Sequence, residues 1–566
     1  MNEQIEKGGE HMNKAWWEKT IVYQVYPKSF KDSNHDGIGD LQGIIDSLDY
    51  IKELGVETIW LNPIFISPQI DNGYDISNYY AIDEIFGDVS DLERLIKEAH
   101  KRELKIMLDL VLNHTSSRHP WFQEALKGEN NLYRDYYLWE NPKDDGSTPN
   151  NWESFFGGSV WEKDLVSNQY YFHLFDKEMP DLNWKNPEVM HAMVDIAKFW
   201  LGKGIDGFRL DAFIHMIKDD FDKNVAGIPV SEIAIAEEYY ANLPEVKLYL
   251  SEFISRIKEV KPDCFILGEA ASATPELADS YIREDLCETV ISFDHFEEKI
   301  IEHNEKIPKG LEKKTIDTKK MKQKLENWQN GLSEGKYPSL YWNNHDMPRV
   351  VSRFGNVETY RNESAKALAT ARYLLRGVPV ILYGEEIGMR NLDIKDVDTF
   401  QSPQAKGQFT ELLGNGFTEQ EALNIIAASN KEASRGVMQW SNEDYAGFST
   451  VKSWIGENQE KIYNVEAETK DSESILNYYR ELLKLKKTDL FSYGEVEFLE
   501  SDDEVIAFKR QYLKEEAIVI VNLTDKEVET PNWLNEYASW SILLKSKETI
   551  NKTLKPYAYK ILKKDD

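Results

Sequence analysis

At 566 residues the chain exceeds a single core and calls for two or three domains, and its 41% hydrophobic and 12% aromatic content excludes a disordered polymer. A formal charge of −32 repels phosphate backbones and anionic bilayers, which excludes nucleic-acid binding and attachment to membranes. Only two cysteines are present, Cys264 and Cys287, so a disulfide framework is excluded and a reducing compartment is favoured.

The first residues are polar and lack the apolar stretch of a signal peptide, and no apolar run is long enough to span a bilayer, so a cytoplasmic protein is expected. Residues 1–11 read as a disordered extension. Lys7-Gly8-Gly9-Glu10 is what a purine-rich ribosome-binding sequence would encode, and Met12 is expected to be the true start. Eight short apolar runs then follow: Ile21–Val25, Thr58–Leu61, Lys105–Leu110, Gly207–Leu210, Cys264–Leu267, Thr289–Phe293, Ser339–Trp342 and Val380–Tyr383. Between the first two, Leu41, Ile44, Ile45, Leu48, Ile51 and Leu54 recur at the spacing of one helix face, and Leu92, Leu95, Ile96 and Ala99 repeat it before the third. Parallel strands need crossovers, so eight strands separated by helices predict an α/β fold, a (β/α)₈ barrel over residues 12–113 and 183–488.

Residues 114–182 are rich in Trp, Tyr, Phe, Asn, Gly and Pro and too long for a connecting loop, which predicts a small domain inserted after the third strand. A shorter insertion is expected at Lys218–Leu243 and a third at Arg390–Tyr463. From residue 489 to 566 the pattern turns to strands such as Val505–Phe508 and Ala517–Val521, predicting a C-terminal antiparallel β-sandwich.

In such a barrel chemistry sits at the C-terminal strand ends. There the third strand offers Asp109 to His114, the fourth Arg209 and Asp211, the fifth Glu269, and the seventh His345 and Asp346. Isolated, any one of these carboxylates reads equally well as a buried salt bridge; together they suit glycoside hydrolysis, where one carboxylate attacks the anomeric carbon and another protonates the leaving oxygen. Arg209, two residues before Asp211 on the same strand face, is expected to keep Asp211 ionised as the nucleophile. Glu269 has no basic neighbour in sequence and suits the acid role, while Asp346 would stabilise an oxocarbenium-like transition state.

Asp109–His114, Gly207–Asp211, Gly268-Glu269 and Asn344-His345-Asp346 resemble the four signature segments of the α-amylase superfamily, glycoside hydrolase family 13. Asn72-Gly73-Tyr74-Asp75-Ile76, Met438-Gln439-Trp440 and Ala446-Gly447-Phe448 resemble further motifs of its oligo-1,6-glucosidase and α-glucosidase group. The resemblance implies the same three catalytic roles. It implies too that Tyr74 stacks on a bound glucose, that His114, Arg209 and His345 bind its hydroxyls, that Asp71 and Arg435 close the pocket behind it, and that Phe156 and Phe175 line it. The expected reaction is release of α-glucose, with retention, from the non-reducing end of short α-glucosides. Relatives preferring α-1,6 bonds carry Val directly after the nucleophile; Ala212 stands here, which favours α-1,4. Met179, Met347 and the Ser434–Val437 segment depart from the group's pattern.

Asp32, Asn34, Asp36 and Asp40 place oxygen donors through one Gly-containing loop, and the resemblance adds the Ile38 carbonyl. A structural Ca²⁺ or Mg²⁺ is expected there, with no cofactor for catalysis; the competing reading is an Asx-rich turn satisfied by its own backbone. The expected partner is a small oligosaccharide, and the protein a monomer or homodimer. Isomaltose cleavage, or transfer and isomerisation on sucrose or trehalose, are the alternatives on the same scaffold. Trehalose-6-phosphate hydrolysis would need a basic phosphate pocket, which the sequence does not reveal.

Overall fold

The computed structural model describes residues 15–229, 232–400, 403–458, 460–546, 549–550 and 552–565. The readings of residues 1–11 and of Met12 lie outside the described residues. The eight barrel strands stand where expected: β1 (Val22–Val25), β2 (Thr58–Leu61), β3 (Lys105–Val111), β4 (Gly207–Asp211), β5 (Phe265–Glu269), β6 (Thr289–Ile291), β7 (Ser339–Leu340) and β8 (Val378–Leu382). They pair in parallel in the order β6-β5-β4-β3-β2-β1-β8-β7. Parallel strands covered on both faces are buried at successive residues, which is why they read as unbroken apolar runs. At the seam between β6 and β7 hydroxyl groups join the edges. Thr289 Oγ1 donates to Tyr337 O (2.8 Å), Ser339 Oγ to Val290 O (2.8 Å) and Tyr341 OH to Ser292 O (2.5 Å).

The helix over Val89–Lys101 begins at a capping box in which Asp88 and Asp91 serve each other's backbone, and it buries Leu92, Leu95, Ile96 and Ala99 as its period requires. The single helix expected from Leu41 to Leu54 is instead two, Leu41–Asp46 and Leu48–Leu54. Ser47 interrupts it: its Oγ bonds back to Gly43 O at 2.8 Å, and its backbone leaves the helical region. The buried face survives the break because both pieces pack on the same barrel wall.

After β3, three short antiparallel strands (Trp139–Glu140, Trp161–Lys163 and Tyr170–Phe172) carry a small core of Trp152, Val160, Trp161, Phe172 and Leu174. The insertion after β4 completes that core with Ala236 and Tyr240, so the two insertions pack as one. The insertion after β8 forms the helices Pro403–Gly414 and Glu419–Ala427, and its apolar side is shared with Leu311, from a hairpin after β6 (Glu298–Glu302 and Lys313–Ile316).

In the C-terminal sheets the two-residue period sends alternate side chains to different partners. Ile506, Phe508, Val519 and Val521 join the barrel's core, whereas Val505, Ala507 and Ile520 meet Leu554 and Ala558 beneath the smaller sheet. Among the described residues no helix is long and apolar enough to cross a membrane.

Candidate active site

Arg209 organises the rim. It lies on β4 between Asp109 on β3 and Leu267 on β5, fully buried. Its Nη1 is 2.9 Å from Asp109 Oδ1 and 2.6 Å from Asp211 Oδ1, and its Nη2 is 2.6 Å from Glu269 Oε2. Three carboxylates thus share one guanidinium. Burial pushes Asp109 up to about 6 against the pull of Arg209. It pushes Asp211 well above the ordinary carboxylate range, with Glu269 and Asp109 adding to burial and Arg209 opposing it. The expectation that Arg209 keeps Asp211 ionised counted the guanidinium for Asp211 alone; shared with Asp109 and Glu269, it offsets the burial of Asp211 only in part.

The residue after Asp211 is strained. Ala212 has φ +48°, a left-handed conformation unusual outside glycine, and its N–H donates to Glu269 Oε2 at 3.3 Å. That turn aims Asp211 and Glu269, from adjacent strands, into one cavity of about 350 Å³.

Asp346 faces them from the loop after β7. Arg435 Nη2 lies 3.2 Å from its Oδ1 and His345 Nε2 3.1 Å from its Oδ2. Burial opposes ionisation, yet the surrounding positive groups hold Asp346 well below the usual carboxylate range. Burial also drives His345 down to about 3, so it is neutral at pH 7, and the cations acting on Asp346 there are Lys431, Arg435 and Arg209. Gln24 Nε2 donates to His345 Nδ1 at 2.8 Å, which leaves the ring proton on Nε2, toward Tyr74 OH (2.7 Å) and Asp346. Tyr74 lies parallel to His345 with centroids 5.4 Å apart, and its OH donates to Asp109 Oδ2 at 3.0 Å while accepting from Asn62 Nδ2 at 2.9 Å. Gly73 makes this approach possible: its φ is +107°, and a Cβ would lie 3.1 Å from Pro63 O.

His114 lines the cavity with a buried Nε2 that has no protein partner, beside Phe175 at 5.1 Å; burial lowers it to about 4. Phe156 and Phe175 both line the cavity, edge to face at 5.7 Å. Asp71 lines it as expected, but its partner there is Lys431, at 3.3 Å, which also sits 5.3 Å over the Phe156 ring. Arg435, expected to close the pocket, does not line the cavity: it is 1% exposed, with Nε on His345 O at 2.9 Å and Nη2 on Asp346, whereas Lys431 does line it. Sequence reasoning missed Lys431, Phe155, Glu237 and Ser272, which also line the cavity, and Gln24 and Asn62 behind it. None has a local signal; only the fold brings them to the rim. A larger groove of about 730 Å³, bordered by Trp139, Lys185 and Asp219, holds none of the rim carboxylates.

These segments belong to one known architecture. Residues 24–494 match the alpha-amylase catalytic domain. The chain belongs to the α-amylase family, glycoside hydrolase family 13. It is 39% identical to the oligo-1,6-glucosidase of Bacillus cereus over 98% of this chain and 100% of that one. It is also 39% identical to the trehalose-6-phosphate hydrolase of Bacillus subtilis strain 168, over 96% and 97% of the two chains. The isomaltulose synthase structure from Klebsiella sp. LX3 superposes with a TM-score of 0.89 at 33% identity, covering 98% and 100%. This family member is a glycoside hydrolase, and relatives with different products resemble it to a similar degree.

The Asp32–Asp40 loop of the hydrolase has hard oxygen donors, the kind a Ca²⁺ or Mg²⁺ takes. Here they are turned to their own backbone. Asp32 accepts from the N–H groups of Asn34, His35 and Gly37, and Asp40 from those of Ser33, Asn34 and Gly43. Asn34 Oδ1 accepts from Asp36 N, and Asp36 Oδ1 from Ile38 N. Among the described residues no group of three or more His, Cys, Asp or Glu side chains is arranged to hold a metal ion. The donor set fits a cation in kind; the arrangement is an Asx turn.

Proposed function

We propose that this chain is a retaining, exo-acting α-glucosidase that releases α-glucose from the non-reducing end of short α-glucosides, with maltose and maltooligosaccharides preferred. The observation that carries this reading is the placement of Asp211 and Glu269 on adjacent strands, on one guanidinium, facing a cavity that Asp71 and Lys431 also line. Each carboxylate lies 2.6 Å from the Arg209 guanidinium, which holds the two close together, as double displacement requires.

In the first step an Asp211 oxygen attacks the anomeric carbon, the glycosidic C–O bond breaks, and Glu269 gives its proton to the leaving oxygen. Water then attacks the same carbon, Glu269 takes a proton from it, and the bond to Asp211 breaks, so the α configuration is kept. Asp346, held ionised, faces the positive charge that develops on the sugar ring in both steps. A cavity of about 350 Å³ is small for a glucan chain, which supports action on short α-glucosides.

Ala212 supports the α-1,4 preference, since it borders the space beside Glu269 and a larger side chain would narrow it. The names of the relatives favour a second reading, α-1,6 cleavage. Proton NMR of maltose and isomaltose digests, followed from the first seconds, tests both. Early α-glucose released faster from maltose supports the proposal, the reverse order supports α-1,6 cleavage, and new disaccharides in place of glucose move the chain to transfer. We place its work in the cytoplasm on the strength of two buried free thiols, Cys264 and Cys287. We also infer that a Ca²⁺ or Mg²⁺ binds the Asp32–Asp40 loop, because Asp32, Asn34, Asp36 and Asp40 supply the hard oxygens such an ion takes from one short loop.

A further inference from the structure

Five carboxylates line the reaction cavity, Asp71, Asp211, Glu237, Glu269 and Asp346, and the mechanism uses only three of them. Asp71 is paired with Lys431. Glu237 is exposed, makes no ion pair among the described residues, and comes from the insertion after β4. Its place in the cavity follows from the acid. Glu269 must face the leaving oxygen, so the residues beyond it, Ala271 and Ser272 after β5, lie on the leaving-group side.

The Glu237 segment is tied to that same side. Asn242, at φ +55°, donates from its backbone to Ile214 O (2.9 Å) and from Nδ2 to Ser272 Oγ (2.9 Å), while its Oδ1 accepts from Tyr281 OH (3.1 Å). Tyr240 anchors the turn from inside. It is buried, its OH accepts from Ala236 N at 3.0 Å, and its carbonyl lies 3.0 Å from His215 Nδ1. The turn that carries Glu237 is therefore tied to Ser272, and the two residues, one a carboxylate and one a hydroxyl, line the same cavity.

We propose that Glu237 and Ser272 form the binding site for the leaving-group sugar, recognising its hydroxyls and selecting a neutral sugar over a phosphorylated one. This rests on the glucosidase reading above. A carboxylate accepts hydrogen bonds from sugar hydroxyls, and charge-assisted bonds of this kind are among the stronger ones. A phosphate ester carrying nearly two negative charges would meet Glu237 in a cavity whose lining offers five carboxylates and a single lysine.

The test compares maltose with 4-nitrophenyl α-glucoside, whose leaving group has no hydroxyls for Glu237 to bind. In Glu237→Gln the ratio of kcat/KM on maltose to that on the aryl glucoside falls about tenfold, and in Ser272→Ala by about threefold. In Glu237→Lys, turnover of trehalose 6-phosphate rises relative to maltose by about tenfold or more. An unchanged ratio in both Glu237 variants, with the wild type active on the aryl glucoside, overturns this inference alone. A wild type inactive on the aryl glucoside and on both disaccharides overturns the glucosidase reading instead.

Discussion

At the ends of β4 and β5, three carboxylates share Arg209 and open onto a cavity; just past β8, Glu385 and Glu386 sit equally deep with no opening and answer to tyrosines. Tyr23 and Tyr50 donate to Glu386 Oε1 at 2.5 and 2.6 Å, while Tyr373 and Tyr479 donate to Glu385 Oε1. Glu468 joins from the helix Val465–Lys470, with one oxygen on Leu476 N at 2.9 Å and the other without a partner. Burial pushes Glu385 up to about 7 and Glu468 to about 8. Burial is the largest cause raising carboxyls in both places, and neighbouring carboxylates add to it. What separates a reactive cluster from a structural one is a fixed cation with an open face, against hydroxyl donors with none.

The sharpest way to break this comparison is Asp211→Asn. Removing the nucleophile should cost on the order of 10⁴-fold or more in kcat. It also leaves two carboxylates for Arg209 in place of three, so the melting temperature should not fall. Loss of stability together with activity would mean that the Arg209 cluster is structural, like the one beyond β8. Next in size is Lys431→Met. It unpairs Asp71 and takes a cation from the surroundings of Asp346, and kcat/KM on maltose should fall about 10- to 100-fold. A variant within twofold of the wild type would remove Lys431 from the site.

The two clusters also differ in how far the sequence discloses them. The barrel was legible because parallel strands covered on both faces leave unbroken apolar runs, and Arg209, Asp211 and Glu269 could be placed because each ends such a run. Glu385 and Glu386 follow Val378–Leu382 just as closely, yet nothing in Gly384-Glu385-Glu386 tells that four tyrosines from distant segments will meet them. Lys431 and Glu237 escaped for the same reason: both reach the rim from insertions whose path depends on packing, Glu237 through Tyr240 and Lys431 through a turn after the helix Glu419–Ala427. Arg435 was misplaced because a resemblance carries a residue's name across, whereas its direction is set by Asp346 and His345. The break at Ser47 shows the limit of period: the apolar spacing continued across a helix that a single hydroxyl had ended.

The structural cluster should be visible in the pH dependence of stability. Glu385 and Glu468 hold protons in the folded state that the unfolded chain releases near pH 4.5, so their stabilisation is whole below that value and is lost as pH rises through about 7 and about 8. The melting temperature of the wild type should therefore fall from pH 5 to pH 8.5. Glu468→Gln, which cannot ionise, should melt about 2–4 °C above the wild type at pH 8.5 and lose that advantage at pH 5. Parallel curves for the two proteins would show that Glu468 is not part of the titrating cluster.

The smallest effect concerns a third set of acids, Asp32, Asp36 and Asp40, which has neither cation nor tyrosine and leans on backbone N–H groups. If a divalent cation adds to those donors, chelation should lower the melting temperature by about 1–3 °C while leaving initial rates unchanged, because the ion is linked to folding and lies outside the reaction cavity. Restored melting on adding Ca²⁺ or Mg²⁺ identifies which ion fits. Melting that ignores both chelator and ion makes the loop a third way to seat a cluster of carboxylates, on backbone N–H groups and without a bound ion.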